Sequence, residues 1–263
     1  MILYFSGTGN TYAVAKAVAD KTGEKLLDMG RAYRARDFEV ELEQGGLLGF
    51  AFPTHRWSTP PLVDEFVRQM RFVTPEGEPY KPDYCFTVET YGHFPGTESG
   101  FFAKLLQKHQ GIAVDAAFAV KSVGNCLYLF NTPSDAVVAR KLASADGAAE
   151  RIAGLVSARH TGDTVAANPL GAALSLGTGH EGKRRSTKVY NVLADKCVGC
   201  GTCAAVCPTD TVKLVGGKPV WSGEHCTECL RCLHYCPQDA SQHGKVTEGR
   251  RRYLNPVLEG RLS

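Results

Sequence analysis

The sequence predicts a doubly wound α/β sheet of five parallel strands followed by a small α+β, metal-bearing domain. Three observations carry that expectation. Over the first ~160 residues, short apolar runs alternate with helix-spaced segments, the pattern of parallel strands joined by crossover helices. A glycine-bearing turn, Ser6-Gly7-Thr8-Gly9-Asn10-Thr11, stands between the first strand and the first helix. Eight of the ten cysteines fall between Cys197 and Cys236, and such a block in a reducing compartment reads as metal binding before disulfides.

Ile2–Phe5, Lys25–Asp28 and Leu47–Phe52 read as the first three strands, and Tyr84–Glu89 and Ala116–Val120 as the fourth and fifth. Thr11–Lys21, Pro60–Met70 and Gly100–Gln110 carry apolar residues at helical spacing, and Ser134 can N-cap a last helix running to Ala158. From Thr161 to Lys188 small and polar residues take over. This stretch reads as a linker (161–188) between a domain at 1–160 and one at 189–263. Its basic run Lys183-Arg184-Arg185 reads as a solvated face or as a docking patch for an acidic partner.

Hydrophobic residues make up 43% and charged residues 22%, which is ordinary for a globular chain. No apolar run approaches the ~18 residues of a membrane span, and Met1-Ile2-Leu3-Tyr4-Phe5 lacks the basic start of a secretory signal. The expectation is a cytoplasmic protein. A net charge of +3, without any nucleic-acid motif, gives no reason to expect DNA or RNA as a partner. Nothing in the sequence fixes the oligomeric state.

The cysteine block is a repeat. Cys197, Cys200, Cys203 and Cys207-Pro208 form C-x2-C-x2-C-x3-C-P, and Cys226, Cys229, Cys232 and Cys236-Pro237 repeat it 29 positions later. Three thiolates two residues apart wrap one corner of an iron–sulfur cubane, and in two-cluster proteins the fourth cysteine ligates the other centre. That crossing gives one [4Fe–4S] cluster to Cys197, Cys200, Cys203 and Cys236, and the other to Cys226, Cys229, Cys232 and Cys207. A pair of zinc sites is the alternative, but zinc ribbons favour two separated C-x2-C pairs and need neither a third cysteine nor the repeated Cys-Pro. Residues 189–263 resemble a bacterial two-[4Fe–4S] ferredoxin, with Lys213–Trp221 as its hairpin and Gly216-Gly217 as the turn.

At the front of the chain, free N–H groups and the helix dipole converge where the first helix begins, which favours an anion there. Gly7 and Gly9 let backbone approach a phosphate closely, while Ser6, Thr8, Asn10 and Thr11 add side-chain donors. A Walker loop is excluded because no lysine follows the glycines. A Rossmann dinucleotide site is the rival: Gly7-x-Gly9 follows a strand and Asp28 lies about 20 residues on. Tyr12, however, occupies the third glycine position, and the hydroxyl-rich loop suits the phosphomonoester of FMN better than a pyrophosphate.

The loop resembles the phosphate loop of flavodoxins. By that resemblance Pro53, Thr54, His55 and Trp57 after the third strand cover one flavin face, and Thr90, Tyr91, Gly92 and Phe94 after the fourth cover the other; Gly9 belongs to the phosphate turn. Taken alone, Trp57 or Phe94 also reads as a rim or core aromatic. Cys126 reads as a packed thiol or a redox thiol, and Cys85 as structural.

Together the halves resemble single-chain flavodoxin–ferredoxin fusion proteins, including the tail from Gly244 to Pro256. That resemblance implies electron transfer between two [4Fe–4S] clusters and a bound FMN, linking redox partner proteins, ferredoxin-like donors or acceptors, to the flavin. A second reading is a flavin-dependent reductase with a pocket shaped by His55, His93, Cys126 and Tyr128, one histidine donating a proton. A third is a redox sensor. The Thr54–Trp57 loop departs from acidic flavodoxins: it carries His55 and Arg56, and no Asp or Glu lies between Leu47 and Leu62. An inward-pointing Arg56 is therefore expected to make the flavin potential less negative, and a solvent-pointing one to leave it alone.

Overall fold

The computed structural model describes residues 1–165, 169–171, 173, 186–223 and 225–259. The basic run Lys183-Arg184-Arg185 lies outside the described residues. In chain order the first part contains β1 (Ile2–Tyr4), α1 (Asn10–Thr22), β2 (Leu26–Asp28), α2 (Met29–Ala35), β3 (Glu39–Glu41), β4 (Leu47–Pro53) and α3 (Pro61–Gln69). It continues with β5 (Arg71–Val73), β6 (Tyr84–Tyr91), α4 (Glu98–Gln110), β7 (Ala116–Lys121), α5 (Asp135–Ser157) and β8 (Gly162–Asp163).

Six strands form one parallel sheet in the order β2-β1-β4-β6-β7-β8. β4 and β6 are buried almost throughout because helices cover both sheet faces. Successive side chains point to opposite faces. Ile2, Tyr4, Phe86, Val88 and Phe118 pack with Val14, Val18 and Ile152 of α1 and α5. Leu3, Phe5, Phe50 and Phe52 pack with Phe66 and Phe102 of α3 and α4.

The expected five-stranded sheet and the linker beginning at Thr161 need correction, because Gly162 and Asp163 pair with Ala116 and Ala117 as the sixth strand. β3 and β5 also pair with one another outside the main sheet. These three elements span two or three residues each, too few for any periodicity to announce them. The chain leaves β1 towards β2 on one side and β4 on the other. The crevice at the carboxyl ends of β1 and β4 is therefore the topological switch point, where such sheets accept ligands.

The second part contains β9 (Tyr190–Val192), α6 (Thr202–Ala205), β10 (Val212–Val215), β11 (Lys218–Trp221), α7 (Arg231–His234) and β12 (Ser241–His243). β10 and β11 make an antiparallel hairpin whose turn, Gly216-Gly217, has positive φ at both residues (56° and 75°). β12 pairs antiparallel with β9. The cysteine repeat is thus also a structural repeat, with α6 and α7 following equivalent cysteines. The apolar interior is small, and several cysteines are part of it.

One buried acid on α3 yields a prediction. Asp64 is 1% exposed, accepts a hydrogen bond from the Thr59 hydroxyl, and its Oδ2 meets no partner among the described residues. Burial pushes its carboxyl up to about 7. Folded Asp64 therefore keeps a proton that the unfolded chain has lost, so its contribution is full below about pH 4 and disappears as pH rises through about 7. Between pH 5 and 8 the stability of Asp64→Asn should gain on wild type by up to about 3 kcal/mol in denaturant unfolding. A pH-independent difference would contradict this account.

Candidate functional site

At the switch point a small cavity is lined by Ser6, Thr8, Asn10 and Thr11 of the first turn, Pro53 and Thr54 after β4, and Thr90, Tyr91 and Gly92 after β6. Ser122 to Asn125, after β7, complete the lining. No lining residue is charged. The Asn125 amide donates to Thr8 Oγ1 at 2.7 Å, leaving the Thr8 hydroxyl proton free to donate, and the Thr11 and Thr90 hydroxyls pair at 2.7 Å. Asn10 acts as a strut: its amide donates to the Val123 carbonyl and its Oδ1 accepts from the Tyr253 hydroxyl and the Asn255 amide.

Four residues expected at this site lie elsewhere. Gly9, at φ 97°, faces the C-terminal tail, where Asn255 and Leu258 take up the space a β-carbon would need. His55 is enclosed at the boundary between the two parts, its Nδ1 donating to the Thr227 carbonyl at 3.1 Å, and burial lowers its pKa. Trp57 and Phe94 stack on each other with centroids 5.8 Å apart. The resemblance puts the two loops on opposite faces of one ring, but their half-exposed aromatics bury more area by pairing together.

The cysteines fall into two sets. Cys197, Cys200, Cys203 and Cys236 line one cavity. Cys207 instead interacts electrostatically with Cys226, Cys229 and Cys232. Backbone N–H groups are directed at sulfur: Thr211 to Cys207 (3.3 Å), Glu228 to Cys226 (3.4 Å) and Ala240 to Cys236 (3.2 Å). Such donors favour the thiolate. Cys200 is exposed, and its pKa is lowered by hydrogen bonds from Thr202. Cys226 and Cys229 keep some accessible surface, yet protein crowds them, and burial pushes their thiols up to about 11 and about 12. Arg231 opposes the rise at Cys229.

The second set lies against the cavity at the switch point. A β-carbon on Gly7 would stand 2.9 Å from the carbonyl oxygen of Cys229, a distance that only glycine tolerates. Arg231 Nε donates to the Ser6 carbonyl at 3.0 Å, with the guanidinium 5.5 Å from the Phe5 ring centroid.

Residues 196–241 match a 4Fe-4S dicluster domain, and a second match to a 4Fe-4S dicluster domain covers residues 166–211. The chain is 43% identical over 49 residues to a ferredoxin-like protein in the vnf region of Azotobacter chroococcum mcd 1, covering 17% of this chain and 75% of that protein. It is 41% identical over 49 residues to a ferredoxin of Methanothermococcus thermolithotrophicus, covering 18% of this chain and 82% of that one. The chain belongs to the 4Fe-4S dicluster ferredoxin family. The C-terminal region carries the membership and is an electron-transfer module. Over 44 residues the chain is 46% identical to a component of the Na(+)-translocating ferredoxin:NAD(+) oxidoreductase complex of Acetobacterium woodii, covering 16% of this chain and 13% of that component. Among solved structures, the Trp repressor binding protein from Bacillus subtilis aligns over 57% of this chain and 96% of its own, at 18% identity and a TM-score of 0.35.

The ferredoxin region is joined to the α/β part by contacts without local sequence signals. Asn255 N–H donates to the Thr8 carbonyl at 2.8 Å. Burial lowers the pKa of His234 to about 4, so it stays neutral, donating through Nε2 to the Asn125 carbonyl and accepting the Tyr253 N–H at Nδ1. Arg56 does not line the cavity: at the exposed edge of the joint it pairs with Glu228 (Nε to Oε2, 2.9 Å) and lies 5.7 Å from the Tyr128 ring centroid. The loop free of carboxylates in sequence meets one from the ferredoxin region in space.

Glu228 and Leu230, on either side of Cys229, both have left-handed backbone, where the first repeat has Gly199 and Gly201. The Arg56 pair and the packing of Leu230 on Leu127 hold that strained turn in place. Asp28, the acid a Rossmann reading would assign to ribose, caps α2 by accepting from the Gly30 and Arg31 N–H groups. His55, His93, Cys126 and Tyr128 do not line the cavity. His93 packs at a tilt on Phe130, centroids 4.2 Å apart, while Tyr128 stacks on His243 at 4.6 Å.

Proposed function

We propose that the chain carries electrons internally between two [4Fe–4S] clusters and an FMN seated at the Ser6–Thr11 turn. Clusters pass single electrons and FMN takes one or two, and that exchange is the chemistry these groups supply. The observation that carries the reading is the contact of Gly7 with Cys229, which sets the phosphate turn directly on a cluster loop. The donor chemistry fits both groups. Eight thiols in two sets, three of them receiving backbone N–H bonds, suit two cubanes, and an uncharged, hydroxyl-rich cradle at a helix N-terminus suits a phosphomonoester.

Residue roles follow. Cys197, Cys200, Cys203 and Cys236 hold the outer cluster, and Cys207, Cys226, Cys229 and Cys232 the inner one. Ser6, Thr8, Thr11 and Thr90 bind phosphate, Asn10 braces the turn, and Asn125, Tyr253 and Asn255 hold it from behind. Pro53, Thr54, Tyr91 and Gly92 border the flavin. Trp57 and Phe94, 5.8 Å apart, must separate to about 7 Å to sandwich a ring, or else lie beside it as a pair.

The function is tested by anaerobic stopped-flow reduction. Cluster absorbance should bleach first, and the flavin band should follow at a rate independent of protein concentration. A flavin signal that depends on concentration, or that never responds, contradicts internal transfer.

Replacing Thr8 and Thr11 together by Val removes donors at nearly constant shape. Bonds to a charged acceptor contribute about 1.5–3 kcal/mol each, so FMN affinity should fall at least tenfold with iron content unchanged. Unaltered FMN binding would sink the phosphate assignment. Cys207→Ser should chiefly perturb the EPR signal of the cluster held by Cys226, Cys229 and Cys232. Loss only of the other signal would reject crossed ligation.

A further inference from the structure

The two cysteine sets differ in what surrounds them. The inner set packs on the α/β part: Cys229 touches the core that contains Phe5, and Leu127 lies in the cluster of side chains around Cys226 and Cys232. The outer set faces away, and Cys200 is exposed. Around it the ferredoxin region leaves apolar side chains in solvent: Val198 is 67% exposed, Leu214 42% and Val215 63%. Val198 and Leu214 border the same cavity as Cys200. Side chains this apolar at an exposed centre are unusual without a contact to make.

The rim of that patch is basic. Lys196 is exposed beside Cys197. Lys218 donates to the Ala194 and Cys197 carbonyls, so its charge sits at the cluster loop without a carboxylate partner there. Lys213 and Arg34 share one carboxylate, Asp210. Among the described residues, exposed Asp195 adjoins the same loop, and Asp239, next to the cavity-lining Gln238, is paired with Arg252.

Resting on the electron path proposed above, we infer that this face is the docking port for an acidic, one-electron carrier protein. An apolar centre with a charged rim is the anatomy of a transient interface, in which the rim sets encounter rate and the centre sets contact. The partner surface complementary to it carries carboxylates around an apolar cofactor edge. Electrons enter or leave at the exposed Cys200 and pass through the inner cluster.

The test uses the full holoprotein and a reduced [2Fe–2S] ferredoxin of strongly acidic surface as probe, with cluster reduction followed by stopped flow. Wild type should react fastest at low salt and slow steeply as salt rises. Lys196→Glu combined with Lys213→Gln should slow the second-order rate at least fivefold at low salt and flatten the salt dependence. Val215→Asp should slow the reaction at high salt as well, because apolar contact is not screened. Reduction by photoreduced deazaflavin, a small neutral donor, should be unchanged in every variant. A wild-type rate in the double variant, or an equal loss from Lys104→Glu on α4, overturns the port. Rapid cluster reduction by the carrier with a silent flavin overturns the internal path and leaves the port standing.

Discussion

Gly7→Val should weaken FMN binding at least tenfold while leaving the iron and the fold in place. The β-carbon it introduces would meet a backbone carbonyl, Cys229 O, at 2.9 Å, and neither backbone can yield without moving the Ser6–Thr11 turn off the Cys226–Cys232 loop. Overpacking of this kind costs about 1–3 kcal/mol, and here it falls on the boundary between the two parts, not on the sheet core. The expected result is at least a tenfold weaker FMN affinity by fluorescence titration and a slower internal transfer. Gly7→Ala should lie between the variant and wild type. Wild-type affinity and rate in Gly7→Val would mean that the turn and the cluster loop do not depend on one another.

Arg231→Gln should shift the potential at the Cys207, Cys226, Cys229 and Cys232 set and loosen the Ser6–Thr11 turn at once. The guanidinium lies beside Cys229, opposing the effect of burial on that sulfur, and also donates to the Ser6 carbonyl. A cation at such range stabilises added negative charge, so its removal should lower the midpoint potential of the cluster held by Cys207, Cys226, Cys229 and Cys232 by roughly 50 mV. Arg231→Lys keeps the charge but loses the planar fork. It should keep the potential near wild type while still weakening FMN. EPR-monitored redox titration of the three proteins separates the two effects. An unchanged potential in Arg231→Gln would remove Arg231 from the electrostatics of the cluster.

The cysteine repeat was legible in the sequence because covalent ligation fixes spacing, and spacing survives without knowledge of the fold. The Ser6–Thr11 turn was legible for a related reason: strand, small polar turn and helix are consecutive, so local order determines the geometry. The joint between the two parts was not. Arg231 and Ser6 are 225 positions apart, and Arg56 and Glu228 are 172 apart, so no window of sequence contains either pair. That is why the basic Thr54–Trp57 loop reads, in sequence, without its carboxylate. His55 lies off the cavity for the same reason, since its partner is the Thr227 carbonyl. Gly7 reads as making room for phosphate, and it also makes room for Cys229. β8 escaped because its two residues gain strand character only from pairing with β7.

The most direct measurement is cofactor analysis of anaerobically purified protein. FMN and iron are expected together at a ratio of about 1:8, the stoichiometry of one flavin to two cubanes. Iron at that level with no flavin bound, even after incubation with excess FMN, would contradict an electron path that ends on a flavin in this chain.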